Sequence, residues 1–176
     1  MKLFLAACLI ASPAAAFAET APGSASRTAH ADFIDASGAK IGTATLKPSP
    51  NGVLIEAKLS KLPPGVHAFH IHEKGVCDAA DGFKSAGGHY GAPGSKHGFM
   101  TEHGPHAGDV TNQTALADGT MTIEAFNDKV TIEGGAMPLL DADGSSLVLH
   151  AKPDDYASQP AGDAGGRIAC AVIKAD

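Results

Sequence analysis

The chain has no block of basic charge: 13 Lys and Arg are scattered among 19 Asp and Glu over 176 residues, for a formal net charge of −6. Cations dispersed in this way leave no electrostatic footprint for nucleic acid or an anionic lipid surface, so neither is an expected partner. There is also no unbroken apolar run of the roughly 20 residues that a membrane span needs. The longest such stretch, at the start of MKLFLAACLIASPAAAFAE, is interrupted by Ser12 and Pro13. Internal repeats and long amphipathic helical patterns are missing too, which sets aside solenoids and helical bundles. Cysteine is scarce, with only Cys8, Cys77 and Cys170.

The N-terminal stretch carries a lysine, an apolar and small-residue run, and then Ala16, Phe17 and Ala18, a small-x-small cleavage pattern. Residues 1–18 read as a secretory signal, leaving 19–176 as one domain with no membrane attachment. A membrane anchor and a lipoprotein box, "LAAC" ending in Cys8, are the competing readings. Removing the signal leaves Cys77 and Cys170, an even count in an oxidising compartment. One long-range disulfide is the natural inference, against two buried free thiols. Closing a loop of about 90 residues is worth about 4–5 kcal/mol in the chain-entropy model, less any native strain.

What the chain does have is short apolar alternations separated by turn chemistry. In NGVLIEAKLS, Val53, Ile55, Ala57 and Leu59 share one face and Leu54, Glu56 and Lys58 the other, the period of a half-buried strand. TMTIEAF repeats this with Met121, Ile123 and Ala125 against Thr120, Thr122 and Glu124. TAHADFID, KIGTATLK, VHAFHIH, SLVLHA and RIACAVI are further strands, with turns at "ASGA", "SPNG", "LPPG", "LADG" and "DADG". The expected class is antiparallel all-β, sandwich or barrel.

Residues 73–109 and 151–166 break that rhythm. They are long and rich in glycine, aspartate and proline, and irregular loops of this length are usually functional or disordered. The first contains His89, His97, His103, His106 and Asp109. Ahead of it, GVHAFHIHE concentrates three histidines. On a strand, His70 and His72 point to one face and Ile71 to the other, so two imidazoles can converge on one ion. His150, ending SLVLH, could add a third nitrogen. A loop group of His89, His97, His106 and Asp109 suits tetrahedral zinc. Three or four imidazoles without sulfur suit copper.

In this order, GVHAFHIHE, GGHYGAPGSKHG, GPHAGD, LVLHAKPDD and GDAGGRIACAVI resemble the motif series of the Cu/Zn superoxide dismutases, particularly their exported bacterial branch. The resemblance spans nearly all of the mature chain. It includes the intervals of eight residues from His89 to His97 and nine from His97 to His106. It implies a Greek-key antiparallel β-barrel or sandwich with long loops, in a periplasmic protein that is a monomer or a homodimer.

By the same resemblance, each subunit holds one copper on His70, His72, His89 and His150 and one zinc on His89, His97, His106 and Asp109. His89 bridges the two metals, and Cys77 and Cys170 form the family disulfide. Arg167 is the arginine beside the copper and acts in catalysis with His89. Asp154 links ligands of the two metals, with Asp155 as its adjacent rival. His67 is a structural hydrogen-bonder, and His30 and His103 match no ligand and are expected on the surface. The segment between Cys77 and His89 is longer than in the eukaryotic branch and that between His150 and Arg167 shorter, so neither eukaryotic dimer contacts nor electrostatic-loop residues are carried over to this chain.

The implied reaction converts superoxide to oxygen and hydrogen peroxide and protects against superoxide outside the cytoplasm. A net-negative chain can still attract an anion, because steering depends on the field at the cleft. Lys74, Lys84, Lys96 and Lys152 flank the loops and are candidate contributors. The competing function is a metal-sequestration protein on the same scaffold, which would need neither an anion dock nor a bridging imidazole.

Overall fold

The computed structural model describes residues 27–176. The expected secretory signal, its expected cleavage point and Cys8 lie outside the described residues.

The strands follow the alternations closely. They are β1 (Ala29–Asp35), β2 (Lys40–Ser49), β3 (Gly52–Leu59), β4 (Gly65–His67), β5 (Phe69–His72), β6 (Gln113–Ala115), β7 (Met121–Asn127), β8 (Ser146–His150) and β9 (Arg167–Ala175). Every paired neighbour is antiparallel. One curled sheet has the order β5-β8-β9-β1-β2-β3-β7, and β4 pairs separately with β6. In β3, Val53, Ile55, Ala57 and Leu59 are buried, and in β7 Met121, Ile123 and Ala125 are buried while Thr122 and Glu124 are exposed. The period-two pattern thus gives the correct inward face of both strands. These side chains meet Phe33, Leu46, Phe69, Ile71, Leu147 and Leu149 in one apolar core.

β8 reads SLVLH without alternation because both its faces are covered. Leu147 and Leu149 enter the main core, whereas Val148 packs in a second cluster with Phe83, Ala86 and Cys170 beneath the disulfide loop. β5 is covered on both sides in the same way. Phe69 and Ile71 face the main core, while His70 and His72, on the opposite face, are 0% and 1% exposed under the loops. The loops therefore roof the outside of the sheet at the β5–β8 edge, and the histidine centre lies between them.

Three features differ from the sequence reading. VHAFHIH is two strands, because at Ala68 the backbone turns to other partners: its N–H donates to Lys152 O at 2.9 Å and its carbonyl accepts from His150 N at 2.9 Å. β6, three residues long, carries no alternation of its own and is defined by its non-local pairing with β4, with Ala115 buried in the main core. Residues 128–145 form a third strand-free segment, anchored by Val130, Ile132 and Leu139 in the main core.

Candidate metal centre

Three backbone hydrogen bonds assemble the centre before any side chain is considered. Ile71 N–H donates to Gly108 O at 2.8 Å, Gly108 N–H to Tyr90 O at 2.7 Å, and Tyr90 N–H to Ile71 O at 2.9 Å. This cycle stitches β5 to both ends of the histidine loop. His70 is thereby bridged to Asp109, and His72 to His89, as isolated antiparallel pairs. Gly108 makes the approach possible, since a Cβ there would collide with the carbonyl oxygen of Ile71.

Two groups of ligand-type side chains result, His70, His72, His89 and His150 in one and His89, His97, His106 and Asp109 in the other, each with donor atoms within 4.8 Å of one another. In the first group, Nδ1 of His70 and Nε2 of His72, His89 and His150 are buried without a hydrogen-bond partner. Buried polar atoms are normally paired, so four converging orphan nitrogens fit a bound cation. Nitrogen-only donors also suit copper.

The opposite ring nitrogens fix the tautomers. A carbonyl can only accept, so His72 Nδ1–H donates to Gly87 O at 3.0 Å and His150 Nδ1–H to Gly165 O at 3.3 Å. His70 Nε2–H donates to Asp154 Oδ2 at 2.8 Å. Each arrangement leaves the orphan nitrogen with a free lone pair.

In the second group Asp109 Oδ1 lies 2.7, 3.1 and 3.5 Å from Nδ1 of His89, His97 and His106. Its Oδ2 accepts from the N–H groups of Gly98 at 2.8 Å and His106 at 3.0 Å, which aims Oδ1 at the imidazoles. Three nitrogens and one carboxylate oxygen suit tetrahedral zinc. His89 alone belongs to both groups, with Nδ1 turned to Asp109 and Nε2 orphaned among the other three rings.

Asp154 spans the groups, since its Oδ2 accepts from His70 and its Oδ1 from His97 Nε2 at 2.9 Å. A Cβ at Gly162, where φ is +66°, would strike that same Oδ1. Asn112 holds the Asp154 backbone from both sides: its Oδ1 accepts from Asp154 N at 2.8 Å and its Nδ2 donates to Asp154 O at 2.9 Å. Asp155 instead caps its own loop, accepting from Ala157 and Ser158, and it is Asp154 that touches both groups.

Burial lowers the pKa of His89 to about 4 and of His150 to about 3, reinforced by neighbouring rings, and drives His72 well below its ordinary value. For Asp109 burial acts upward but is outweighed by hydrogen bonds from His89 and Gly98, which hold the carboxyl below its usual range. Burial also acts upward on Asp154 and is overcome by its bonds from His70 and His97. At neutral pH these three imidazoles are neutral and both carboxylates charged; for the imidazoles and Asp109 these are the forms that bind metal.

A cavity of about 280 Å³ opens onto the first group, lined by His72, His89, His150, Pro160, Ala161 and Arg167 among others. Arg167 is its only cationic lining residue among those described. Nη1 donates to Phe83 O and Nη2 to Gly87 O, both at 2.5 Å, so the guanidinium is held by the loop that Cys77 ties to β9 through its disulfide with Cys170.

The remaining sequence expectations divide. His67 sits 2.8 Å from both His150 O and Pro63 O and joins neither ligand group, in keeping with a structural tie. His30 and His103 have side chains 48% and 77% exposed, and His30 contacts Asp176. Of the four lysines, none lines the cavity, and Lys152 is 3.6 Å from Asp163. The sequence reading did not single out Asn112 or the carbonyls of Phe83, Gly87 and Gly165. A backbone acceptor leaves no signal in residue identity.

Residues 40–173 match the family described as copper/zinc superoxide dismutase (SODC). The chain is 47% identical over 147 residues to superoxide dismutase [Cu-Zn] 1 of Aquifex aeolicus, covering 82% of this chain and 86% of that one. It is 47% identical over 140 residues to superoxide dismutase [Cu-Zn] of Caulobacter vibrioides, covering 78% and 80%. Among solved structures, a superoxide dismutase-like protein from Bacillus subtilis superposes with a TM-score of 0.77 at 34% identity, covering 81% of this chain and 95% of that one.

Proposed function

This chain belongs to the copper/zinc superoxide dismutase family, and on that premise we propose that it is an exported enzyme converting two superoxide ions and two protons to oxygen and hydrogen peroxide. His70, His72, His89 and His150 would hold copper, and His89, His97, His106 and Asp109 zinc. The observation that carries this reading is the double commitment of His89, one nitrogen to each group, beneath a cavity whose wall includes a fixed guanidinium.

Copper bound at the first group supplies one-electron chemistry by alternating between two oxidation states, which zinc does not. Arg167 docks the substrate. A guanidinium stays charged at any ordinary pH, and its two carbonyl anchors hold it at the wall beside the orphan nitrogens. His89 Nε2 faces this copper group and is the atom suited to carry a proton to the reduced substrate, while Asp109 at Nδ1 keeps the ring oriented. Asp154 holds His70 and His97 from behind.

Export is supported by the signal pattern of residues 1–18 and by the Cys77–Cys170 disulfide, which persists in an oxidising compartment. Superoxide decay, followed by ultraviolet absorbance, tests the activity. Protein carrying copper and zinc should accelerate it and protein carrying zinc alone should not. Equal rates would favour a sequestration role and overturn the reading.

A further inference from the structure

The segment 151–166 touches the centre at two places along its course. Asp154, near its start, grips His70 and His97, and Pro160 and Ala161 form part of the cavity wall above His72, His89 and His150. Gln159 lies between them. Although the residue is exposed, its carboxamide is fully engaged with backbone. Oε1 accepts from the His97 N–H at 3.0 Å, Nε2 donates to the His97 carbonyl at 2.8 Å, and Nε2 also donates to the Ala157 carbonyl at 2.9 Å. Among the described residues, the backbone N–H and carbonyl of His97 have no other hydrogen-bond partner.

His97 is therefore held twice by the same segment, at its ring by Asp154 and at its backbone by Gln159. We propose that Gln159 is a positioning residue that ties the zinc half of the centre to the rim of the copper pocket. The physical reason is reciprocal. A two-point amide fixes the position and orientation of the His97 peptide, whereas a single bond would leave it free to pivot. The two residues that follow Gln159 shape the wall, so an error in the placement of His97 is passed to the opening through one residue of chain. Water can replace the lost hydrogen bonds at this exposed position, but mobile water does not hold a geometry. Loss of Gln159 should thus disturb metal binding more than folding. The effect on the pocket rim rests on the superoxide dismutase reading, and the grip on His97 does not.

The test uses the full protein with Gln159→Leu, which ends one bond short of the amide and has no polar atoms, and Gln159→Glu, which keeps the acceptor but turns a second oxygen toward the carbonyls of His97 and Ala157. Ser158→Ala is the control, since it removes a different bond in the same loop, from Ser158 Oγ to Asp155. Competition with a chromophoric chelator should show zinc affinity about 10- to 100-fold lower in both Gln159 variants, with copper affinity within about twofold of the parent. The urea midpoint of the metal-free protein should stay unchanged in all three, and zinc affinity unchanged in Ser158→Ala. In the copper- and zinc-loaded variants, KM for superoxide should move more than kcat. Parental zinc affinity in both Gln159 variants, or an equal loss in Ser158→Ala, would overturn the proposal. If Gln159→Leu does not fold, Gln159→Glu decides alone. If the parent itself does not dismute superoxide, the functional reading fails while the zinc affinities still decide the role of Gln159.

Discussion

His70 and Asp154 lie 84 residues apart in the chain and 2.8 Å apart in the fold, both side chains fully buried. Through its other oxygen the same carboxylate holds His97, so one residue orients a ligand in each metal group. Asp154→Asn keeps the shape but has only one oxygen to offer, and its NH2 group would face a ring N–H. Zinc affinity should fall about 10- to 100-fold, the usual range for a residue that orients a ligand. Copper affinity should fall less, because His72 and His150 keep their own carbonyl anchors. Chelator competition measures both, and unchanged zinc affinity would contradict the bridging role.

Arg167→Ala removes the only cation among the described lining residues of the cavity. A hydrogen bond to a charged group is worth about 1.5–3 kcal/mol, so the dismutation rate should drop about 10- to 100-fold at low salt. Its dependence on ionic strength should weaken as well, with both metals still bound. A rate as salt-sensitive as that of the parent would remove Arg167 from substrate docking and shift attention to the four loop lysines.

The disulfide has a mechanical consequence beyond stability. Cys77 begins the loop whose Phe83 and Gly87 carbonyls hold the guanidinium, and Cys170 lies three residues from Arg167 on β9. Replacing both cysteines by serine should lower unfolding free energy by about 2–5 kcal/mol. Urea denaturation reads that loss. Activity should fall in the surviving folded fraction because the arginine loses its fixed acceptors, and a fully active double variant would contradict this link.

Metal-free protein should become less stable as the pH falls from about 7 to about 4. His89 and His150 titrate near 4 and 3 when folded, against 6.5 for an ordinary histidine. Across that window the unfolded chain binds more protons, so acid favours unfolding. Asp109 and Asp154, both held low in the fold, extend the loss to still lower pH as they are protonated. Thermal midpoints of the metal-free protein across this range check the sign, and a flat or rising profile toward acid would contradict it.

The legibility of the centre in the sequence followed from side-chain chemistry. His70 and His72 are two apart on a strand, and His89, His97, His106 and Asp109 sit in a long loop rich in glycine and polar residues, so their donors were readable before the fold was known. The choice of Asp154 over Asp155, and of His67 as a tie, needed the family resemblance, because neither spacing nor residue type distinguishes them. What stayed hidden depends on backbone: the break at Ala68, the three-residue β6, and the carbonyls that anchor Arg167, His72 and His150. Gln159 was hidden for a related reason. It is one polar residue in a polar loop, and only its two bonds to the His97 peptide set it apart.

Copper titrated into the zinc-loaded protein, with the superoxide dismutation rate recorded at each addition, tests the account most directly. The rate should rise in proportion to copper and stop rising at one equivalent per chain, with no rise in His150→Ala, which lacks one of the four nitrogens. A rate that stays flat through the first equivalent, or that rises equally in His150→Ala, would contradict a copper centre built from His70, His72, His89 and His150.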